Sequence, residues 1–146
     1  MSDVRRKLIT DAVVARAGTL TNLQVFRGEV DKPLATLPNS DRVGRYVVIY
    51  PLGGTEGPDP NLADAAGDLT YSFQATCGAG FATDAEFLFD QVYTLFNRWA
   101  PTVTGLVFGV FRPPPGYQAG AVRRVDQMLP PRFWLPIQFQ IVATTT

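Results

Sequence analysis

The sequence predicts an α+β domain: a single antiparallel or mixed β-sheet with two α-helices packed on one face. Three observations carry that prediction. Apolar residues at helical spacing open the chain over residues 3–17. Residues 69–99 run as one unit, an alternating strand, a glycine turn and an amphipathic helix. Apolar or alternating stretches at 22–28, 46–50, 103–111, 120–128 and 133–141 complete the order α, β, β, β, α, β, β, β.

The first helix is expected to bury Val4, Leu8, Ala12 and Ala15, with Arg5, Arg6, Lys7 and Asp11 outside that stripe and Gly18 as its stop. A short strand follows at Asn22–Gly28, where Leu23, Val25 and Arg27 alternate with Gln24 and Phe26. Pro33, Pro38, Asn39 and Gly44 mark residues 29–44 as a loop. Tyr46-Val-Val-Ile-Tyr50 is continuously apolar and β-branched, the pattern of a strand covered on both faces. Residues 51–68 form a long loop with three prolines, four glycines and the acids Glu56, Asp59, Asp64 and Asp68.

In the next strand Leu69, Tyr71, Phe73, Ala75 and Cys77 share one face, and Thr70, Ser72, Gln74 and Thr76 the other. Cys77 therefore falls on the core side, as an inert buried thiol. Thr83 and Glu86 have the spacing of a capping box, and Asp84 adds favourable charge at the helix start. Phe87, Leu88, Val92, Leu95, Phe96 and Trp99 make a wide apolar stripe facing the core. Glu86 and Asp90 repel each other at i, i+4, a pair better placed facing a cationic partner, though solvent also serves. Pro101 closes the helical region, and Arg112-Pro-Pro-Pro-Gly-Tyr117 breaks the following strand with a stiff connector. In the last strand Phe133, Leu135, Ile137, Phe139 and Ile141 face one way, while Pro136 argues for an edge or a bulge.

Composition narrows the function. The 146 residues read as one domain, 1–146, without internal repeat, able to bury roughly 68–70% of the surface an unfolded chain exposes. With 46% hydrophobic and 18% charged residues the chain is not of the disordered class, and no apolar run reaches the ~18 residues of a membrane helix. The N-terminal Met1-Ser-Asp-Val-Arg-Arg-Lys lacks a signal peptide's apolar core, and a single cysteine fits a reducing compartment. The chain has no histidine, which excludes Ser-His-Asp and Cys-His catalysis. Gly78-Ala-Gly80 lacks the third glycine of a dinucleotide loop, and the acids of 56–68 lack calcium-loop spacing. No cofactor or metal is expected. A carboxylate pair such as Asp64 with Asp68 is the one hydrolytic alternative.

Charge is balanced overall but segregated along the chain. Residues 1–45 carry eight basic and five acidic groups, 46–97 none and seven, and 98–146 five and one. A molecule with oppositely charged faces could attract its own copies.

The motifs Val47-Val-Ile-Tyr-Pro-Leu52, Tyr71-Ser-Phe-Gln-Ala-Thr76 and Ala82-Thr-Asp-Ala-Glu-Phe-Leu88, together with the order of elements, resemble the tail terminator (tail completion) proteins of long-tailed phages. The likeness spans about residues 3–142. It implies a non-enzymatic virion protein at the head-proximal end of the tail, assembled in the host cytoplasm as a ring, usually of six subunits. Such a ring caps the tail tube protein, stops its polymerisation and meets the head–tail connector. DNA only passes through the lumen, and no membrane is involved. On this reading Glu56, Asp59, Arg112 and Tyr117 are the expected contacts with tube, connector or next subunit, with Arg123 and Arg124 alongside. The alternatives are another neck or tube component, the loop-carboxylate hydrolase and a small binding module.

Overall fold

A computed structural model describes residues 2–52, 68–118, 120–125 and 132–145. Helix α1 (Ser2–Ala17) leads to strand β1 (Gln24–Arg27), then β2 (Tyr46–Leu52), β3 (Asp68–Ala79), helix α2 (Ala82–Phe96), β4 (Leu106–Phe108), β5 (Arg123–Val125) and β6 (Arg132–Thr145). The strands form one mixed sheet in the order β1-β2-β3-β6-β4, with β5 also pairing β6. The β1–β2 pair is parallel, which needs a long crossover, and the loop predicted at 29–44 supplies it. Every other pair is antiparallel.

The predicted two-faced pattern of β3 holds. Leu69, Tyr71, Phe73, Ala75 and Cys77 are all buried beneath both helices. Register places Phe73 opposite Phe139, the rings stacked at 5.6 Å, with Phe96 and Phe111 edge-on at 5.0 and 5.2 Å. Phe73 is thus the centre of an aromatic cluster whose members come from four separate segments. Strand β2 is covered on both sides, as its unbroken apolar run requires. Val47 and Ile49 join the main core, while Tyr46 and Val48 pack with Phe26 and Val43 in a second cluster on the other face.

Several local expectations are corrected. Helix α1 buries Ile9, Val13 and Ala17, not the predicted stripe: Leu8 is 42% exposed and Ala15 is exposed. The side chain of Val4 lies outside the described residues. Two i, i+4 series overlap in this helix, and two polar anchors select between them. Thr10 meets the Tyr71 hydroxyl at 2.7 Å, and the Arg16 guanidinium donates to the Leu95 carbonyl from Nε and Nη2 at 3.2 and 3.0 Å.

Helix α2 does not use the Thr83–Glu86 capping box. Its N-cap is Phe81, in extended conformation and without a side-chain cap bond, so Thr83 and Glu86 sit exposed inside the first turns. The cause is the anchoring of the turn just before it. The Gly80 N–H donates to the Val43 carbonyl at 3.0 Å, and Arg42 donates to the Gly80 carbonyl at 2.9 Å while stacking on Phe81. The inward face is Ala85, Leu88, Val92 and Phe96, whereas Phe87 is 56% exposed. The helix ends at Phe96, ahead of Pro101, and Trp99 reaches the core from beyond it by stacking on Phe111 at 5.8 Å.

The strand predicted over 103–111 shrinks to β4, because Gly105 turns the chain at φ 85° and, beyond Gly109, whose N–H still donates to the Val142 carbonyl, Phe111 turns its N–H to the Trp99 carbonyl. Strand β6, despite Pro136, is not an edge strand of the sheet: β3 pairs with its residues 133–144 on one side, and β4 and β5 pair with its two ends on the other. Its even-numbered residues aim their backbone groups away from β3, as the Gln140 exchange with Arg112 shows. Pro136 therefore lacks its N–H on the side where, between β5 and the Arg112 bridge, no strand pairs among the described residues. Proline is tolerated because this stretch is locally an edge.

Candidate functional site

The outer side of β6 gathers the described site candidates. Arg112 makes a two-bond bridge with Gln140, its N–H donating at 3.1 Å and its carbonyl accepting at 2.8 Å. Tyr117 fills the gap left by the missing strand, its hydroxyl donating to the Pro136 carbonyl at 2.8 Å. Burial pushes the Tyr117 phenol up, and a hydrogen bond from the Gln138 backbone partly offsets this. Strand β5 sets Arg123 opposite Trp134 and Arg124 opposite Phe133. Each guanidinium stacks on its partner's ring, at 5.7 and 5.9 Å.

Four of the six predicted interaction residues thus meet along one strand edge, although two separate segments supply them. Their roles differ. Tyr117 is half-buried and completes the sheet, while Arg112, Arg123 and Arg124 are exposed. Arg132, on β6 itself, extends the cationic end. It hydrogen-bonds the Tyr46 phenol, which burial raises and the arginine pulls back. The Tyr46 ring crosses Gly78 to reach it, and a methyl at Gly78 would collide with that ring. Glu56, Asp59 and Asp64 lie outside the described residues. Asp68 opens β3 opposite Thr144, and its side chain lies outside them too.

Sequence reasoning missed a second surface, on α2. A shallow groove of about 440 Å³ is lined by Leu20, Phe87, Asp90, Gln91, Thr94 and Leu95. Arg45 donates to Gln91 Oε1 at 3.1 Å and lies over the Phe87 ring at 5.6 Å. The signal was present in the spacing. Ala85, Leu88, Val92 and Phe96 already satisfy a helical repeat, and Phe87 stands roughly 100° away from Leu88.

The face of the sheet away from the helices carries Thr70, Ser72, Gln74 and Thr76 on β3 and Gln138 and Gln140 on β6. Gln138 Nε2 donates to Gln74 Oε1 at 3.4 Å, and Gln74 Nε2 to Thr76 Oγ1 at 3.1 Å. Cys77 is fully buried, and burial pushes its thiol well up, so it is no nucleophile in the native fold. Among the described residues no three His, Cys, Asp or Glu side chains group as metal ligands, and no helix is long and apolar enough to cross a membrane. No protein-family model matches the chain, and no curated protein matches it significantly.

Proposed function

We propose that this chain is a tail terminator of a long-tailed phage, a non-enzymatic protein that forms a ring on the head-proximal end of the tail tube. The ring halts tube growth and presents a surface to the head–tail connector. The observation that carries this reading is the convergence of Arg112, Arg123 and Arg124 on one exposed edge of β6, from two segments. Arginines exposed on a rigid sheet edge, backed by aromatic rings, suit recognition of another protein surface. The motif resemblance supplies the rest of the proposal. Glu56 and Asp59 stay with it as contacts from the 51–68 loop.

Electron microscopy of the purified protein, alone and mixed with tail tubes, tests the reading. Rings that bind one tube end only are the expected result. Long cylinders formed by the protein alone would make it the tube component instead. Monomers indifferent to tubes would refute both.

A further inference from the structure

We infer that the free edge of β4 pairs with the same edge of a second copy of this chain, antiparallel about a two-fold axis, so that two sheets join into one. The sheet has edges at β1, β4 and β5. Charge guards two of them, and charged edges resist pairing with another chain. Strand β5 carries Arg123 and Arg124. On β1 the outward backbone groups belong to Val25 and Arg27, because the Gln24 and Gly28 N–H groups donate to the Arg45 and Ile49 carbonyls of the β2 side. Arg27 is ion-paired with Asp11, which also holds Lys7, and exposed Glu29, Asp31 and Lys32 follow.

The β4 edge has no such guard. From Trp99 to Phe111 the chain carries no charged residue. Leu106 and Phe108 pack their side chains against the main core, which holds the strand in place. Val107 projects from the opposite face and is the most exposed large apolar side chain described, at 57%. Register sets Val107 opposite Thr144, so Val142 stands on the same face, 49% exposed.

This edge is self-complementary. The Gly109 N–H donates to the Val142 carbonyl at 3.1 Å, so residues 107 and 109 turn their backbone groups toward β6, and Phe108 turns both of its own outward. Neither group of Phe108 has a partner among the described residues. Pairing Phe108 with its counterpart in the second copy exchanges both bonds, N–H to C=O in each direction. Val107 of one copy then stands opposite Gly109 of the other, with Val142 just beyond. A Cβ added at Gly109 would meet nothing nearer than the Val142 carbonyl oxygen, 4.0 Å away, so the glycine leaves a notch that Val107 of the second copy fills. A β1 edge is a poorer partner, since pairing there strips water from the Arg27–Asp11 ion pair. The two-fold contact goes beyond the ring proposal and is independent of it, because ring contacts run head-to-tail.

The test is sedimentation of the full chain up to roughly 1 mM, because a contact this short belongs to the small, transient class. A monomer–dimer equilibrium is the expected result. Val107→Lys, with folding checked by circular dichroism, should raise the dissociation constant at least about tenfold, since it puts the missing charge on the edge. Hydrogen exchange followed by nuclear magnetic resonance supplies a second readout on the unaltered chain. The Phe108 N–H should become protected as concentration rises, while those of Val25 and Arg27 stay unchanged. A chain that is monomeric throughout overturns the inference, as does a dimer that Val107→Lys leaves intact. Protection at Val25 and Arg27 in place of Phe108 overturns it too. Rings that cap tubes with Phe108 unprotected would refute this contact and leave the terminator reading standing. Dimers protected at Phe108 that ignore tubes would do the opposite.

Discussion

Thr10 and Tyr71 join α1 to β3 through one buried hydroxyl pair, 2.7 Å apart. The direction of that bond follows from a neighbour. The Thr10 hydroxyl donates its only proton to the Arg6 carbonyl at 2.9 Å, so Tyr71 must donate to Thr10. Removing either partner therefore has different consequences. Tyr71→Phe deletes the donor and leaves Thr10 Oγ1 still bonded to Arg6, which costs about 0.5–1.5 kcal/mol. Thr10→Val leaves the phenol, on a side chain only 1% exposed, without an acceptor, and costs about 1–3 kcal/mol. The double variant removes the pair together and should be less destabilised than the sum of the two. Urea denaturation reads the difference directly. With a slope near 2 kcal/mol per molar, a loss of about 2 kcal/mol lowers the midpoint by about 1 M. Equal losses from the two single variants, or strict additivity in the double, would refute the assigned donor and the isolation of the phenol from water.

Other expectations follow from the same geometry. Gly80→Ala should destabilise by about 1–3 kcal/mol in the same assay, because a methyl there stands 2.7 Å from the Val43 carbonyl oxygen, backbone that cannot move aside alone. Phe73→Ala should cost about 3–5 kcal/mol, lowering the thermal midpoint more than any exposed-site variant does. Cys77 should resist a thiol reagent in native protein and react fully in denaturant; rapid native labelling would contradict its burial. Arg27 and then Lys7, hydrogen-bonded to Asp11, hold its carboxyl below the usual value. A depressed folded pKa favours the folded state above the unfolded value, near 4, and that advantage is lost as pH falls through the folded one. Asp11→Asn should therefore flatten the acid limb of a stability-against-pH curve; an unchanged limb would show that the pair contributes nothing.

The parts of the fold legible in the sequence are those where local pattern and burial coincide. Strand β3 alternates strictly, so its buried set could be read residue by residue, with Cys77 among it. Strand β2 is apolar throughout, and both its faces are covered. In the candidate site Arg112, Tyr117, Arg123 and Arg124 were singled out one by one as interaction residues. Their meeting on one strand edge was not legible, because residues distant along the chain share an edge only once the register is known. The helices were read less well for a related reason. An amphipathic helix offers several overlapping i, i+4 series, and sequence spacing alone cannot rank them. In α1 the Thr10 and Arg16 anchors turned Ile9 and Val13 inward, and in α2 the tether at Gly80 moved the N-cap off Thr83.

An α+β domain, the order of its elements, the hydrophobic faces of its central strands and the absence of histidine chemistry follow from the chain's residues in order. These are properties of composition and short-range period, which each segment carries alone. Long-range packing, by contrast, sets β1 parallel to β2, places β6 inside the sheet despite Pro136, and turns Phe87 outward. Those outcomes depend on hydrogen-bond register and on which competing contacts win, and both exist only when distant segments meet.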